Sequence, residues 1–405
     1  MPVTVRPVRD DEYERYGSVA ALGFGADYDA EEQEQERLLI PLEDTLAAFD
    51  GDELVGTEGA YRLTLSIPGN QVPMAGVTTV SVLPTHTRRG VLTAMMRRRL
   101  ETMRDAGEWL AGLWASESVI YGRYGYGVAT ERLGFEVDTS RTGYTRLVPD
   151  PGTTRLVDRD AALRTVPAIF DACAAACPGM VSRDGAWWNY LWRDPKEERA
   201  GRSGLLFAIH ATNGLDDGYA VYRTKSNWGT GADNDMLLED LVTTSDAAYA
   251  ALWRYLFDVD LMPRLAAHSR PVDEPLLWML ADRRAVRPRV DEGLWLRLVS
   301  VPAALEGRRY SAEGRVVFEV ADDFCPWNAG RYALTVSADG ARCQATSETA
   351  DIAAPAAALA SAYLGGISFF NLGRAGRVTE LVPGALQNAD AMFRWHRAPW
   401  CDRIF

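Results

Sequence analysis

The chain has 405 residues, of which 47% are apolar and 24% are charged, the proportions of a globular protein with two or three domains. Its formal net charge of −13 opposes binding to nucleic acid and to anionic membrane surfaces, and it favours cationic substrates. The five cysteines are scattered and odd in number, so neither a disulfide framework nor a metal site is expected.

The first 140 residues alternate helices with strands, and antiparallel hairpins precede a parallel crossover. This pattern predicts a mixed α/β unit. The predicted elements are a strand at 4–8, helices at 10–25 and 31–40, strands at 45–49, 54–67 and 77–83, a helix at 91–104, a strand at 109–115 and a helix at 116–123, with the last strands after Gly127.

Residues 155–285 repeat this order, which indicates an internal duplication. Helices are predicted at 161–177, 186–191 and 246–257, and strands at 204–211, 219–224 and 236–243. From Asp291 the pattern changes to a third, α+β module: a strand and a short helix over 291–310, strands over 314–322 and 330–346, an alanine-rich helix over 354–363, and strand-like runs to the end.

Two segments bear on cellular location. The first seventeen residues have no apolar core of the kind that a signal peptide needs, so a cytoplasmic location is expected. Residues 352–373 carry no charge, but Pro355, Gly365 and Gly366 interrupt them, which favours a buried helix, turn and strand over a membrane span.

Residues 77–99, VTTVSVLPTHTRRGVLTAMMRRR, carry the strongest signal in the chain. A β-branched strand runs through a basic loop and Gly90 directly into an amphipathic helix. Such a helix N-terminus directs unpaired N–H groups and the positive end of the helix dipole at one spot, which suits a diphosphate. An ordinary strand–helix turn has the same pattern, and the segment alone leaves both interpretations open.

The corresponding segment of the second repeat is LVTTSDAAYAALWRYL, at 241–256. It has neither the arginine pair nor the glycine, so its backbone cannot approach a diphosphate as closely. We therefore expect the second unit to be a structural copy without the cofactor site.

Two further features could take part in a reaction. Tyr121 lies in ASESVIYGRYGYG, where Ser116 is a predicted helix N-cap. A phenol of pKa about 10 suits protonation of a thiolate, although a packed aromatic ring is the simpler interpretation. The chain ends RWHRAPWCDRIF, and its apolar residues Trp395, Trp400, Ile404 and Phe405 are enough to dock the terminus. A docked terminus places a free carboxylate there, as a structural anchor or as a base.

Taken together, these segments resemble the Eis-type (enhanced intracellular survival) acetyltransferases of the GNAT superfamily. The resemblance covers nearly the whole chain and rests on motifs in the right order: 80–92, 115–127, 183–195, 291–305 and the terminal phenylalanine. It implies an N-terminal GNAT domain over 1–150, a degenerate GNAT domain over 151–289 and a sterol-carrier-protein-like α+β domain over 290–405.

The resemblance also implies roles for single residues. Tyr121 matches the general acid, and the terminal carboxylate of Phe405 matches the general base. The residues implied to bind acetyl-CoA are Val80, Ser81 and Val82 along the strand, Arg88, Arg89, Gly90, Val91, Leu92 and Thr93 at the diphosphate, and Ser116 and Glu117 beside it. One departure is Thr87, which stands where the superfamily's R-x-x-G begins; backbone donors survive this change.

The implied reaction is direct transfer of an acetyl group from acetyl-CoA to primary amines of aminoglycosides or of lysine side chains, in a hexamer and without a metal. Two rivals stay open. A lipid-binding protein would act through the C-terminal module, supported by the uncharged 352–373 segment. The second rival keeps the enzyme and makes a protein lysine the true acceptor; a wide acidic cleft would tolerate bulky polycations, and a narrow channel would not.

Overall fold

The structure is a computed structural model, and it describes residues 3–146, 148–149, 152–227 and 234–405. The strands are β1 Thr4–Arg6, β2 Thr45–Asp50, β3 Glu53–Ile67, β4 Asn70–Val82, β5 Leu110–Trp114, β6 Gly127–Val128, β7 Glu131–Asp138, β8 Gly152–Val157, β9 Leu206–Thr212, β10 Leu215–Lys225, β11 Asp235–Thr243, β12 Arg264–Arg270, β13 Val286–Glu292, β14 Leu294–Leu298, β15 Gly314–Ala321, β16 Gly330–Ser337, β17 Gly340–Ala345, β18 Ile352–Pro355 and β19 Thr379–Glu380. The helices are α1 Tyr13–Phe24, α2 Ala30–Arg37, α3 Val91–Asp105, α4 Arg159–Ala174, α5 Gly185–Leu191, α6 Asp246–Phe257, α7 Leu276–Met279, α8 Val301–Gly307, α9 Ala356–Ala362, α10 Phe369–Arg374 and α11 Ala385–Phe393.

The first sheet has the strand order β1-β2-β3-β4-β5-β14-β6. Antiparallel pairing joins β1 to β4, and the crossover through α3 makes β5 parallel to β4, as the sequence predicts. α1 ends where Gly25 takes the left-handed conformation, at φ 69°. α3 buries a stripe of residues that includes Met95, Met96 and Leu100, which is why a strongly basic helix packs on this sheet.

One strand of this sheet comes from far along the chain. β14 pairs antiparallel with β5 and with β6, so residues 294–298 complete the first sheet, whereas the sequence analysis assigned them to the third module. Likewise, β7 was expected among the last strands of the first unit, and it lies in the second sheet. Local sequence patterns predict strands and do not carry information on these distant pairings.

The second sheet has the order β13-β7-β12-β11-β10-β9-β8. β11, α6 and β12 form a parallel crossover of the same kind as β4, α3 and β5, which agrees with the predicted repeat. The third sheet, β17-β16-β15-β18-β19, follows the predicted alternation up to residue 345.

Three local predictions were wrong. Residues 116–123 form no α-helix; Tyr121–Tyr124 is a short 3₁₀ turn that ends at Gly125, because glycines at 122, 125 and 127 disfavour a longer helix. Within 352–373, a strand comes first and a second helix, α10, follows the turn. The strand-like runs near the end contain α11, whose buried Leu386, Ala389 and Phe393 give it a helical apolar face.

The chain divides into two compact units, which are not contiguous in sequence. The first unit comprises 1–130, 293–399 and 404–405, and the second comprises 131–292 and 400–403. The predicted boundary at 150–151 lies outside the described residues. Among the described residues, no helix is both long enough and apolar enough to cross a membrane.

Candidate active site

The pairing between β4 and β5 ends partway along β4. The two strands pair only over Ala75–Val77 and Ala111–Leu113, while β4 continues to Val82 along β3. The N–H of Leu83 donates to the carbonyl of Val55 on β3. Because successive N–H groups of a strand point in opposite directions, the N–H of Val82 points toward the open edge, and the same alternation applies to Val80. This edge offers backbone donors to a ligand.

A bulge shapes the same stretch of β4. The register with β3 shifts between Thr57 and Gly59, and Thr79 takes a left-handed conformation with φ 47°. The Tyr16 hydroxyl lies 2.9 Å from Thr79 Oγ1 and holds the bulge from α1. Non-glycine residues rarely adopt such a φ, and they cluster at functional sites.

Ser81 lies in this stretch with its side chain turned away from the open edge. It is buried, its Oγ lies 3.0 Å from Thr57 Oγ1, and it donates to the carbonyl of Val19 at 3.2 Å. Its side chain therefore joins β3, β4 and α1 and is not free to contact a ligand.

The start of α3 carries unpaired backbone donors. The first intrahelical bond runs from the Ala94 N–H to the Gly90 carbonyl, so the N–H groups of Gly90, Val91, Leu92 and Thr93 have no acceptor within the helix, and no side chain caps it. Gly90 has φ 86°, and a Cβ built there would contact nothing within 4 Å. Open space therefore lies beside Gly90, and unpaired N–H groups at a helix N-terminus suit a diphosphate.

Some side chains around this loop are exposed to solvent, and others make hydrogen bonds within the protein. Arg88, at φ 61°, and Arg89 are exposed, and Arg89 Nη2 lies 3.7 Å from Asp50 Oδ2. Thr87 Oγ1 donates to the carbonyl of Pro84 at 3.2 Å, so its side chain stabilises the turn. Thr93 Oγ1 lies 3.2 Å from the Tyr124 hydroxyl and ties the first turn of α3 to the 3₁₀ turn.

Tyr121 is 5% exposed and packs edge-to-face on Tyr126, with ring centroids 5.9 Å apart. Among the described residues, its hydroxyl has no hydrogen-bond partner. Burial, and secondarily the charge of Glu58, raise the pKa of Tyr121 well above its usual value. The phenol therefore keeps its proton at neutral pH and has it available to donate.

Ser116 and Glu117 lie in the exposed loop between β5 and the 3₁₀ turn. The prediction that Ser116 caps a helix was wrong, since no helix begins there. Both residues follow the end of β5, the strand that separates from β4.

Phe405 lies against the same end of β4. Its ring is in contact with Gly76, where a built Cβ would be 3.0 Å from Phe405 Cε2, and it packs edge-to-face on Tyr61 with ring centroids 6.3 Å apart. Gly76 pairs with Gly112, one residue before the β4–β5 pairing ends. Among the described residues, no basic side chain lies within 4.0 Å of the terminal carboxylate. Ile404, expected to help dock the tail, is 54% exposed.

These groups meet around one apolar cluster. Tyr121, Met96 and Val77 belong to it, and Val80 and Leu92 pack on its edge. The ring of Phe405 contacts Gly76, which precedes Val77 on β4. The Tyr121 side chain therefore shares a cluster with Val77, and the Phe405 ring contacts the neighbouring residue of β4, where the pairing with β5 ends.

Sequence reasoning missed one buried charge beside this site. Glu58 is fully buried in β3, opposite the β4 bulge, and its Oε1 accepts from Arg99 Nε of α3 at 2.7 Å. Burial raises the pKa of Glu58, because the desolvation exceeds the attraction of Arg99. The available signal was a lone charge in the otherwise uncharged run between Glu53 and Arg62.

The second crossover lacks this geometry. Ser245 Oγ accepts from the Ala248 N–H at 3.1 Å and donates to Asp217 Oδ2 at 3.2 Å, so the N-terminus of α6 is capped by its own chain. The expectation that the second repeat lost the diphosphate site agrees with this cap.

Comparisons with known proteins identify the domains. Residues 4–129 and 179–298 each match an acetyltransferase (GNAT) domain family, and residues 301–402 match a sterol carrier protein domain family. The GNAT fold binds acetyl-CoA, which fits the donor groups described above. No three His, Cys, Asp or Glu side chains among the described residues are grouped so as to hold a metal ion.

Full-length relatives carry the same assignment. The chain is 44% identical to an uncharacterised N-acetyltransferase of Streptomyces avermitilis, over 100% of both chains. It is 33% identical to the N-acetyltransferase Eis of Mycobacterium tuberculosis, over 97% of both. The crystal structure of Eis1 from Mycobacterium abscessus superposes with a TM-score of 0.87 at 36% identity, over 100% of both chains. The chain therefore belongs to the Eis-type family of GNAT N-acetyltransferases, with two GNAT domains followed by a sterol-carrier-protein-like domain.

Proposed function

We propose that this acetyltransferase moves the acetyl group of acetyl-CoA directly to a primary amine of a polycationic acceptor, with Tyr121 as general acid and the Phe405 carboxylate as general base. The observation that supports the proposal is that Tyr121 packs in one cluster with Val77 while the Phe405 ring contacts Gly76, the preceding residue of β4, at the point where the pairing with β5 stops.

The donor's diphosphate is assigned to the loop and first turn of α3. Four unpaired N–H groups and two exposed arginines support this assignment. The thioester is assigned to the open edge of β4 at Val80–Val82, where N–H groups are available to its carbonyl oxygen, and Ser116 and Glu117 are assigned to the flank of the site.

Each residue then has one task in the reaction. The Phe405 carboxylate takes a proton from the acceptor ammonium, directly or through a water, and the freed amine attacks the thioester carbon. The N–H groups of β4 hydrogen-bond the oxygen on which negative charge develops. Tyr121 donates its proton to the departing thiolate as the C–S bond breaks. The acylated nitrogen then loses its second proton to solvent, and solvent reprotonates the phenol.

The acceptor class is argued from charge. A net charge of −13 favours cations with several amines, and so the proposal names aminoglycoside-like molecules or lysine side chains. An uncompensated terminal carboxylate suits an approaching ammonium group. The predicted hexamer and cytoplasmic location belong to the same proposal.

The tasks of the enzyme are proposed to be divided among the three domains that the sequence predicts. Residues 1–150 would carry donor binding and catalysis, residues 151–289 would be a copy without a donor site, and residues 290–405 would supply the terminal carboxylate. The capped N-terminus of α6 supports the second assignment.

Steady-state kinetics with a panel of amines tests this proposal. Release of CoA is measured while acetyl-CoA and a polyamine, an aminoglycoside or a lysine peptide are varied together. Direct transfer predicts double-reciprocal lines that intersect and acetylation of the polycations. Parallel lines, or acetylation of monoamines alone, would contradict it.

Lipid binding through residues 301–402 is the second candidate, because that region matches a sterol carrier protein domain. The uncharged segment that suggested it packs inside the first unit: α9 lies on β14 and β6, and a Cβ at Gly127 would be 2.0 Å from the Ala357 carbonyl. A thermal-shift series with acetyl-CoA and with a fatty acid separates the two candidates, since the acetyltransferase predicts stabilisation by acetyl-CoA alone.

A further inference from the structure

We propose that Arg297 is a positioning residue, which holds the turn that carries Tyr121 and is itself held by Asp322 of the sterol-carrier-protein-like region. The inference rests on the proposed function, because it assigns a task to the residue that places the proposed acid. It also gives a role to the arginine of the 291–305 motif, which the reaction itself does not use. All of the residues concerned lie in the first unit.

Arg297 lies in β14, and its side chain is fully buried. β14 pairs with β5 on one side and, on the other, with β6, the strand that follows the Tyr121 turn. Trp295 belongs to the same apolar cluster as Tyr121, and side chains two positions apart on a strand point to the same face. Arg297 therefore points to the side of the sheet on which Tyr121 packs.

Asp322 holds one arm of the guanidinium. Arg297 Nη2 donates to Asp322 Oδ1 at 2.9 Å and to Oδ2 at 2.7 Å, and both side chains are at most 2% exposed. Asp322 is fixed in turn, because it accepts from the Cys325 N–H at 2.9 Å and from Asn328 Nδ2 at 3.3 Å. Separating a buried ion pair leaves a charge without compensation, so the guanidinium stays where the carboxylate holds it.

The other arm of the guanidinium contacts the end of the Tyr121 turn. Arg297 Nη1 donates to the Gly125 carbonyl in a long hydrogen bond of 3.5 Å, and a Cβ built on Gly125 would lie only 2.5 Å from Arg297 Cζ. Glycine is therefore required at position 125 for two reasons, the left-handed φ of 83° and the space that the guanidinium fills. Arg297 thus packs directly on the residue that ends the turn.

The backbone of the turn links Gly125 to Tyr121. The Gly125 N–H donates to the Gly122 carbonyl at 3.1 Å, and the Tyr126 N–H donates to the Tyr121 carbonyl at 3.3 Å. Gly122 and Arg123 are exposed, whereas Tyr121 and Tyr126 are buried. A displacement of Gly125 therefore moves the backbone from which the Tyr121 side chain extends.

The loop of residues 322–328 makes a second contact with the turn. Phe324 packs edge-to-face on Tyr124, with ring centroids 4.9 Å apart. Tyr124 is buried, and its hydroxyl lies 3.2 Å from Thr93 Oγ1 at the start of α3. A region that matches a sterol carrier protein domain thereby supports the turn of the proposed acid, a task that requires no lipid.

The test is Arg297→Lys, made in the wild-type chain and again in the Tyr121→Phe variant. Lysine keeps a charge beside Asp322 and has no second nitrogen for the Gly125 carbonyl. In the wild-type chain, kcat should fall on the order of tenfold with the KM for acetyl-CoA unchanged, because a misplaced proton donor loses rate rather than donor binding. In Tyr121→Phe, Arg297→Lys should cause no further loss, since both changes act through the same hydroxyl.

Arg308→Lys is the matched control. Arg308 is a second fully buried arginine of the first unit, and its guanidinium donates to the carbonyls of Tyr363 and Phe393, at the ends of α9 and α11. The substitution removes the same planar group from a buried site. It should lower Tm comparably and leave kcat unchanged.

Amide hydrogen exchange of the wild-type chain supplies a check that does not depend on how the variants fold. The N–H groups of Gly125 and Tyr126 should exchange nearly as slowly as those of β14. Rapid exchange across the turn would mean that Arg297 does not hold it.

The inference is overturned if Arg297→Lys leaves kcat intact, if Arg308→Lys lowers kcat equally, or if Arg297→Lys lowers kcat as much in the Tyr121→Phe variant. If Tyr121→Phe alone leaves kcat intact, the acid assignment of the proposed function fails first, and the role of Arg297 fails with it.

Discussion

At the scale of single residues, burial decides what Tyr121 can do. Water is excluded from its ring and the carboxylate of Glu58 is near, so both the burial and the negative charge favour the protonated phenol. A phenol that stays protonated at neutral pH is not a base, and it has a proton to give to the sulfur as the C–S bond breaks. In the proposed reaction this environment is compatible with the acid role and not with the base role.

Tyr121→Phe should lower kcat by about a hundredfold, the usual range for loss of a general acid, with acetyl-CoA affinity unchanged. The measurement is steady-state kinetics combined with calorimetric titration of acetyl-CoA. Tyr126→Phe is the control, because it removes from the neighbouring ring a buried hydroxyl that has no hydrogen-bond partner in the described part of the chain. Wild-type turnover in Tyr121→Phe would exclude this residue as the acid.

Glu58 links the site to stability. Since burial raises its pKa, the folded state holds the proton more tightly than the unfolded state does. The contribution of this proton to the free energy of unfolding is complete below the unfolded pKa of about 4.5 and is lost as the pH rises through the higher folded pKa.

Comparison with Glu58→Gln, which does not titrate, tests this sign. The Tm of the wild type minus that of the variant should be larger at pH 5 than at pH 8. A difference that grows with pH would mean that Arg99 stabilises the carboxylate by more than burial costs it.

Sequence reasoning worked for residues whose neighbours along the chain reveal their role. The place of Gly90 at the start of α3 is predictable, because a glycine separates the basic loop from an amphipathic helix. The bulge at Thr79 is not, since nothing in VTTVSV distinguishes it from a regular strand. The contact between Phe405 and Gly76 joins residues 329 positions apart, and no local sequence pattern predicts it.

At the scale of elements, two crossovers with one architecture differ in how they satisfy a helix N-terminus. α3 leaves its first N–H groups open behind Gly90, and α6 closes its own with Ser245. The choice between glycine and serine at one position thus separates a helix N-terminus with open donors from one that its own chain caps.

Gly90→Ala should weaken acetyl-CoA binding roughly fivefold to tenfold, because a Cβ at φ 86° strains the loop by about 1 kcal/mol. Gly107→Ala, at φ 74° just beyond the other end of α3, is the matched control. Neither built Cβ meets a neighbouring atom, so the strain is comparable. Equal loss of affinity in both variants would mean that α3 is merely destabilised.

Most predicted elements hold because periodicity and turn residues agree. Strands β2 and β3 around Gly51, and helix α6, lie within a residue or two of their predicted bounds. The failures occur where glycine or alanine is abundant, at 116–123 and 352–373, because such residues carry little periodic signal. α11 was missed for lack of charges to mark its polar face.

At the scale of the whole molecule, long-range strand pairing determines the units. β14 joins β5 after an excursion of about 160 residues, so the first sheet is complete only when the chain returns. Sequence periodicity predicts that residues 294–298 form a strand and does not predict its partner. The resemblance to a known family gave the domain order that local patterns could not.

The chain end offers a test at this scale. A single glycine appended after Phe405 keeps the ring and moves the carboxylate by about 3.5 Å. We expect kcat to fall at least tenfold with little change in Tm, and the loss should diminish at high pH as the acceptor amine deprotonates itself. Unchanged turnover would show that the ring alone matters.

Amide hydrogen exchange of the full chain, with and without saturating acetyl-CoA, measures the central claim most directly, because it reports on the backbone N–H groups themselves. The account predicts that protection rises over residues 79–93 and stays unchanged over 243–249, the capped turn of the second repeat. Protection over 243–249 or over 352–373, with none over 79–93, would contradict it.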